Sequence, residues 1–185
     1  MRIKSTAAML LPAAIAFGAF AAEPKRTVLD DDDSKFLEKA ASADMLEVES
    51  GRLAAQKAKN PQLKKFGQKM ATDHAQATAK LRALAARKGV AFPSVMSDDH
   101  QKKLAKLREA KAGEHFDARF RDLMVDSHED SVSLFEHTAK DSKDPDVRAF
   151  AAKMLSTLQQ HEAAAKALPM IIEAPVSAPS APVVP

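Results

Sequence analysis

Pro61 and Pro145 stand 84 residues apart, each directly behind a side chain that can accept hydrogen bonds from free helix amides, Asn60 in one case and Asp144 in the other. Proline is tolerated at the first position of a helix and not in its interior, so each pair predicts a helix start. The stretches that follow carry the same apolar stripe. Leu63, Phe66, Met70, His74, Ala77, Leu81 and Leu84 follow Pro61; Val147, Phe150, Met154, Leu158, His161, Ala165 and Leu168 follow Pro145. Steps of three and four residues trace one face of an α-helix. Phe66 falls on Phe150, Lys69 on Lys153 and Met70 on Met154, which reads as an internal duplication.

Each of these helices has another long one ahead of it. Residues from about Ser34 to Lys59 form the first, with Phe36, Ala40, Ala43, Glu47, Gly51, Ala54 and Ala58 on one stripe. Residues Glu114 to Asp141 form its counterpart, with Phe120, Met124, His128, Ser131, Phe135 and Thr138 aligned. The Pro61 helix ends at Gly89, a shorter charged helix follows Ser97 and runs to about Ala112, and the Pro145 helix runs to about Leu168. Residues 34–168 are therefore expected to be all-α: a ferritin-like four-helix bundle made of two helical hairpins, joined by a crossover that contains the short extra helix. Composition agrees, because a chain with five Gly and nine Phe as its only aromatics lacks the turn and strand residues of a β fold. Gly51 and Gly67 lie inside helices, where each costs about 1 kcal/mol against Ala, so a close approach of two helices is the expected reason for them.

The two ends of the chain read differently. Arg2 and Lys4 precede an uncharged stretch from Ser5 to Ala22 that holds the small-x-small site Ala19-Phe20-Ala21. This predicts a secretory signal peptide over residues 1–21, a periplasmic or other cell-envelope destination, and no transmembrane span in the mature chain. Removing it takes away two bases and no acid, lowering the formal charge from +3 to +1, so the basic balance gives no argument for nucleic acid. Residues 22–33 read as a flexible acidic leader whose last carboxylates can cap a helix. Residues 169–185 contain five Pro and read as a disordered Pro/Ala-rich tail.

Each of the four long stripes is interrupted once by a ligand-type side chain: Glu47, His74, His128 and His161. Glu47 and His128 both stand eleven residues before an Ala-Lys pair, and His74 and His161 are 87 residues apart, one helical turn from the duplication length. One carboxylate and three imidazoles can converge on a single divalent transition-metal ion, with zinc, iron, copper and manganese all chemically allowed. A metal-free Glu–His hydrogen-bonded network satisfies the same residues, and so does exposure to water at the bundle boundary. Asp44, one turn before Glu47, and Asp73, Glu129 and Glu162, which adjoin the histidines, can support the ligands from behind, but the simpler expectation is that they are ordinary solvent-facing acids. His100, His115 and His137, on charged stretches or at helix ends, are expected at the surface. No residues are assigned to catalysis or to an organic cofactor: the chain has no Cys, no HExxH, no nucleophile elbow and no Gly-rich phosphate loop.

With these residues in view, the chain resembles the bacterial domain-of-unknown-function family 4142. The resemblance rests on FLEKAASADMLEVESGRLAAQKAKNPQLKKFGQKMATDHAQATAKLRALA and HFDARFRDLMVDSHEDSVSLFEHTAKDSKDPDVRAFAAKMLSTLQQHEAAAKAL together, and covers roughly residues 34–168. It implies an envelope location and a ferritin-like fold, places Glu47, His74, His128 and His161 in recurring polar positions, and implies no established reaction. Di-iron oxidases carry Glu-x-x-His on two helices, whereas Ala71 and Leu158 stand three residues before His74 and His161. Ferroxidase or oxygenase activity is accordingly not expected. Three roles remain: a non-enzymatic bundle that binds a metal for structure, sequestration or stress protection; an envelope module that contacts a protein partner, the cell wall or a second copy and uses the polar cluster only structurally; and, last, a metal-dependent redox enzyme, which needs an open coordination position and a substrate pocket that the sequence does not show.

Overall fold

The computed structural model describes residues 29–169, and the expected signal peptide (1–21) and nearly all of the expected tail lie outside the described residues. Five helices follow one another: α1 (Asp31–Lys57), α2 (Pro61–Lys88), α3 (Asp98–Glu109), α4 (Glu114–Asp141) and α5 (Pro145–Lys166). No strand occurs among the described residues, so the all-α expectation holds.

Local chemistry accounts for most of the boundaries. Asn60 Oδ1 accepts from the Gln62 amide at 2.8 Å, and Asp144 Oδ1 accepts from Asp146 and Val147 at 2.9 and 3.1 Å, with proline next in line each time. Gly89 closes α2 in the left-handed conformation at φ 68°, which costs glycine nothing.

Four boundaries differ from expectation, the last of them the end of α5 at Lys166 rather than near Leu168. The acidic leader is not flexible to its end: α1 begins at Asp31 rather than Ser34, because Asp30 caps it, its side chain accepting from the Asp33 amide. Asp31, Asp32 and Asp33 place negative charge at the positive end of the helix dipole, and Leu29 and Asp33 are buried. The first helix also stops at Lys57, because Ala58 turns extended. In the crossover, α3 stops at Glu109 rather than Ala112, because Lys57 Nζ donates to the carbonyls of Arg108 and Ala110 and draws the chain out of the helix.

Packing is dominated by the α1–α2 and α4–α5 hairpins; α1 also lies along α4, whereas α2 and α5 touch only sparsely. Within the first hairpin, a Cβ on Gly51 would collide with the Gly67 carbonyl oxygen and sit 2.9 Å from the Ala71 amide, and a Cβ on Gly67 would fall 2.6 Å from Ala54 Cβ. The two glycines are there for close approach, as their position inside helices predicts.

Ties at the two ends set the register. At one, both carboxylate oxygens of Asp117 on α4 accept from the Lys59 and Asn60 amides at 2.9 and 2.8 Å, pinning the α1–α2 turn. At the other, buried Lys88 pairs with Asp144 at 2.7 Å while the Asp144 amide donates to Asp33 Oδ2 at 3.2 Å, joining α2, α5 and α1.

The apolar core comes in two blocks. One gathers Phe36, Leu81, Leu84, Phe135 and Val147, with the Phe36 and Phe135 rings edge to face at 5.0 Å. The other gathers Leu63, Phe66, Met70, Phe116, Phe120 and Met124. The polar interruptions of the four stripes lie between the blocks. No helix among the described residues is long and apolar enough to cross a membrane.

Candidate metal centre

The layer between the two core blocks brings together His74 from α2, His128 from α4 and His161 from α5. Their ring centroids form a near-equilateral triangle with sides of 5.6, 5.6 and 5.5 Å, and one nitrogen from each ring lies within 4.8 Å of the other two. All three residues are buried. They are the one group of potential metal-ligating side chains that converges in this way among the described residues.

Each imidazole is held by its other nitrogen. His74 Nδ1 donates to Asp44 Oδ1 at 2.8 Å, His128 Nδ1 donates to the Met124 carbonyl at 2.7 Å, and His161 Nε2 donates to Asp73 Oδ2 at 2.9 Å. A carbonyl oxygen can only accept, so the proton of neutral His128 is on Nδ1 and its Nε2 carries a lone pair. By the same logic the inward atoms of neutral His74 and His161 are acceptors, and these atoms, His74 Nε2, His128 Nε2 and His161 Nδ1, have no hydrogen-bond partner. Three buried acceptors aimed at one point repel one another and cost several kcal/mol in lost solvation unless a cation or a proton lies between them. Tying the outer nitrogen to an acceptor is also how proteins orient histidine ligands and raise their basicity.

Protonation satisfies only part of this set. Burial is the strongest influence on His161, and with repulsion from His74, His128 and Lys69 it lowers the ring's pKa to about 4, so the ring is neutral at physiological pH. Burial also opposes a charge on His74, but the Asp44 hydrogen bond and the nearby charges of Glu47, Asp44 and Asp73 outweigh it, and His74 holds a proton more tightly than an ordinary imidazole. Burial raises Asp44 above the usual carboxylate range. A cation arriving at the centre therefore competes with a proton chiefly at His74.

Glu47, the fourth expected member, is only 1% exposed, and neither of its carboxylate oxygens has a hydrogen-bond partner. It stands beside the histidine trio rather than in it, with Oε1 3.8 Å from His128 Nδ1. Ser50, one turn further along α1, is equally buried and equally unpartnered.

Two acids expected to face solvent belong to this site. Asp44 is buried, receives His74, and takes a second, longer contact from Thr78 Oγ1 at 3.4 Å. Asp73 is half-buried, receives His161, and is salt-bridged to Lys69, whose Nζ also approaches His161 Nε2 at 3.4 Å. The sequence signal for Asp44 was its place one turn before Glu47; Thr78 carries a similar signal, one turn after His74. Glu129 is exposed as expected, whereas Glu162 is half-buried; the two share Lys166. Of the three histidines placed at the surface, His137 is exposed and His115 is half-buried beside Arg119. His100 corrects the expectation: it is half-buried and hydrogen-bonded to Ser42 Oγ at 2.7 Å, fastening α3 to α1.

The family model described as "Domain of unknown function (DUF4142)" matches residues 18–168. No curated protein matches the chain. Two solved structures are similar. A DUF305 fragment from Deinococcus radiodurans is 12% identical with a TM-score of 0.65, over 76% of this chain and 96% of that one. CopM in its Cu(II)-bound form is 18% identical with a TM-score of 0.61, over 72% of this chain and 93% of that one. At such identities the likeness shows a shared helical fold.

Proposed function

The chain belongs to the DUF4142 family, and from that starting point we propose that it is an exported, non-enzymatic, ferritin-like bundle that holds one transition-metal ion. His74, His128 and His161 supply the ligands, and Glu47 supplies the carboxylate that offsets the ion's charge. The observation that carries this reading is the set of three buried, unpartnered imidazole nitrogens facing one another while the opposite nitrogen of each ring is tied to an acceptor. Such a donor set fits the ion: imidazole suits zinc, copper and iron, and the unpartnered nitrogens are already turned inward. Copper is the first choice among the four candidate metals, because three imidazoles favour it in the divalent series and because a neighbour of the same fold is a Cu(II)-bound protein.

The bundle's role is then to hold or buffer the ion in the cell envelope, away from other ligands. Burial of all three histidines suits retention more than turnover. The test is elemental analysis of the full chain expressed with its leader and purified without chelator, beside the H74A variant. Near-stoichiometric metal that is lost in H74A supports the reading; absence of metal after incubation with copper, zinc, iron and manganese overturns it. An intact mass that starts at Ala22 supports export, and an unprocessed chain in the cytoplasm overturns that part.

A further inference from the structure

The centre has two unlike flanks. On one stands the Glu47 carboxylate; on another is a cavity of about 30 Å³ that neither Glu47 nor His128 lines. His74 and His161 form part of its wall, and Ala40, Ala77, Leu81 and Phe135 supply apolar surface. A space of this size admits one or two water-sized groups and nothing larger. Three imidazoles leave at least one position of a four-coordinate ion unfilled, and catalytic metal sites are distinguished from structural ones by keeping such a position open.

Charge narrows the occupant further. The acids that line the cavity are Asp44 and Asp73, each already engaged with a histidine. An anion entering there would face two carboxylates in a poorly solvated space, of which Asp73 is offset by Lys69 and Asp44 by no lysine or arginine among the described residues. A neutral molecule faces no such penalty, and an apolar wall favours it. The cavity also reaches Ala43, Asp73 and Thr157, which are half-buried and give it a short route to solvent.

Resting on the metal reading above, we propose that the ion presents one open coordination position to this cavity, and that the cavity selects a neutral ligand of at most two heavy atoms. Ala40 and Ala77 set that limit, since their small side chains leave the space open.

Carbon monoxide on the copper-loaded full chain, reduced with ascorbate, is the probe, and its infrared stretching band is the readout. Copper serves whichever ion is native, because it binds nitrogen sites most tightly of the divalent series. The wild-type chain is expected to give one sharp carbonyl band. A77V, which fills the cavity, is expected to keep its copper and lose at least tenfold in carbon monoxide affinity; A40V is the companion variant should A77V fold poorly. Azide added to the Cu(II) form is expected to give no charge-transfer band. Stoichiometric copper with no carbonyl band in the wild type would sink this inference alone, as would unchanged affinity in both folded variants. Azide is both an anion and one heavy atom too long, so a strong azide band would overturn the size limit together with the selection for neutral ligands. Failure of the wild type to bind copper would remove the metal reading and this inference with it.

Discussion

His74 Nδ1 donates to Asp44 Oδ1 across 2.8 Å, joining α2 to α1 at the level of the centre. Asp44 fixes which nitrogen of His74 turns inward and makes that nitrogen a better donor to a metal. Acceptors of this kind are worth about 10- to 100-fold in metal affinity. D44A is therefore expected to weaken binding by that factor in a chelator competition, while E129A, at the surface beside Lys166, leaves it unchanged. Equal affinities in D44A and the wild type would remove Asp44 from the site.

Glu47 gives a prediction of opposite sign for stability and affinity. Both its oxygens are buried without a partner, which costs several kcal/mol in the metal-free chain. E47L is expected to raise apo stability by about 1–3 kcal/mol in urea unfolding, because an apolar side chain of similar size removes that cost. The same variant is expected to bind metal more weakly. A variant that loses apo stability would show that Glu47 has a partner in solution.

The Lys88–Asp144 pair sets a pH window. Burial works against charge on Asp144, but the Lys88 hydrogen bond, the Val147 and Asp146 amides and the Lys88 charge prevail and hold its pKa below the ordinary 3.8. Its contribution is thus complete above 3.8 and lost as pH falls through the lowered value. Burial likewise opposes the charge on Lys88, yet its bonds to Asp144 and Asp146 hold its pKa above 10.5, so its share is complete below 10.5 and lost as pH rises further. K88M, which strands a buried carboxylate, is expected to cost about 3–5 kcal/mol at pH 7. That penalty should shrink as pH falls below 3.8, as followed by denaturant unfolding of apo protein across pH 2.5–8. A cost independent of pH would point to lost packing instead.

Gly51 and Gly113 separate two uses of glycine. Gly51→Ala places a methyl group against the Gly67 carbonyl in a tight seam, and a loss of about 1–3 kcal/mol or more is expected. Gly113, at φ 102°, has open space where a Cβ would go, so Gly113→Ala carries only backbone strain of about 1–3 kcal/mol. Introducing Gly67→Ala into Gly51→Ala should add little, because the first methyl already forces the helices apart. Full additivity in thermal unfolding would contradict a shared contact.

Much of this architecture was legible because it is local. Caps, prolines and glycines act within one turn, so α2, α4 and the start of α5 fall where the residues predict. The polar layer was legible for a related reason: four stripes with regular steps leave little choice about which side chains point inward, and His74, His128 and His161 do meet. The acids around them were not, because a residue at the edge of a stripe points inward or outward according to the tilt of the neighbouring helix. Asp44 and Asp73 sit on such edges, and only the partner helix decides that they receive an imidazole. The start of α1 differs although its cap is local: the four consecutive acids Asp30 to Asp33 all offer the same capping group, so the residues alone do not say which of them closes the helix.

The sparse contact between α2 and α5 gives the centre a mechanical meaning. The α1–α2 hairpin contributes His74, the α4–α5 hairpin contributes His128 and His161, and neither hairpin holds three donors. The halves approach most closely through α1 and α4, whereas α2 and α5 stand further apart and meet through side chains, Asp73 on His161 and Lys88 on Asp144. An ion at the histidine trio would add one more rivet along that wider seam, and the only one that a chelator could withdraw.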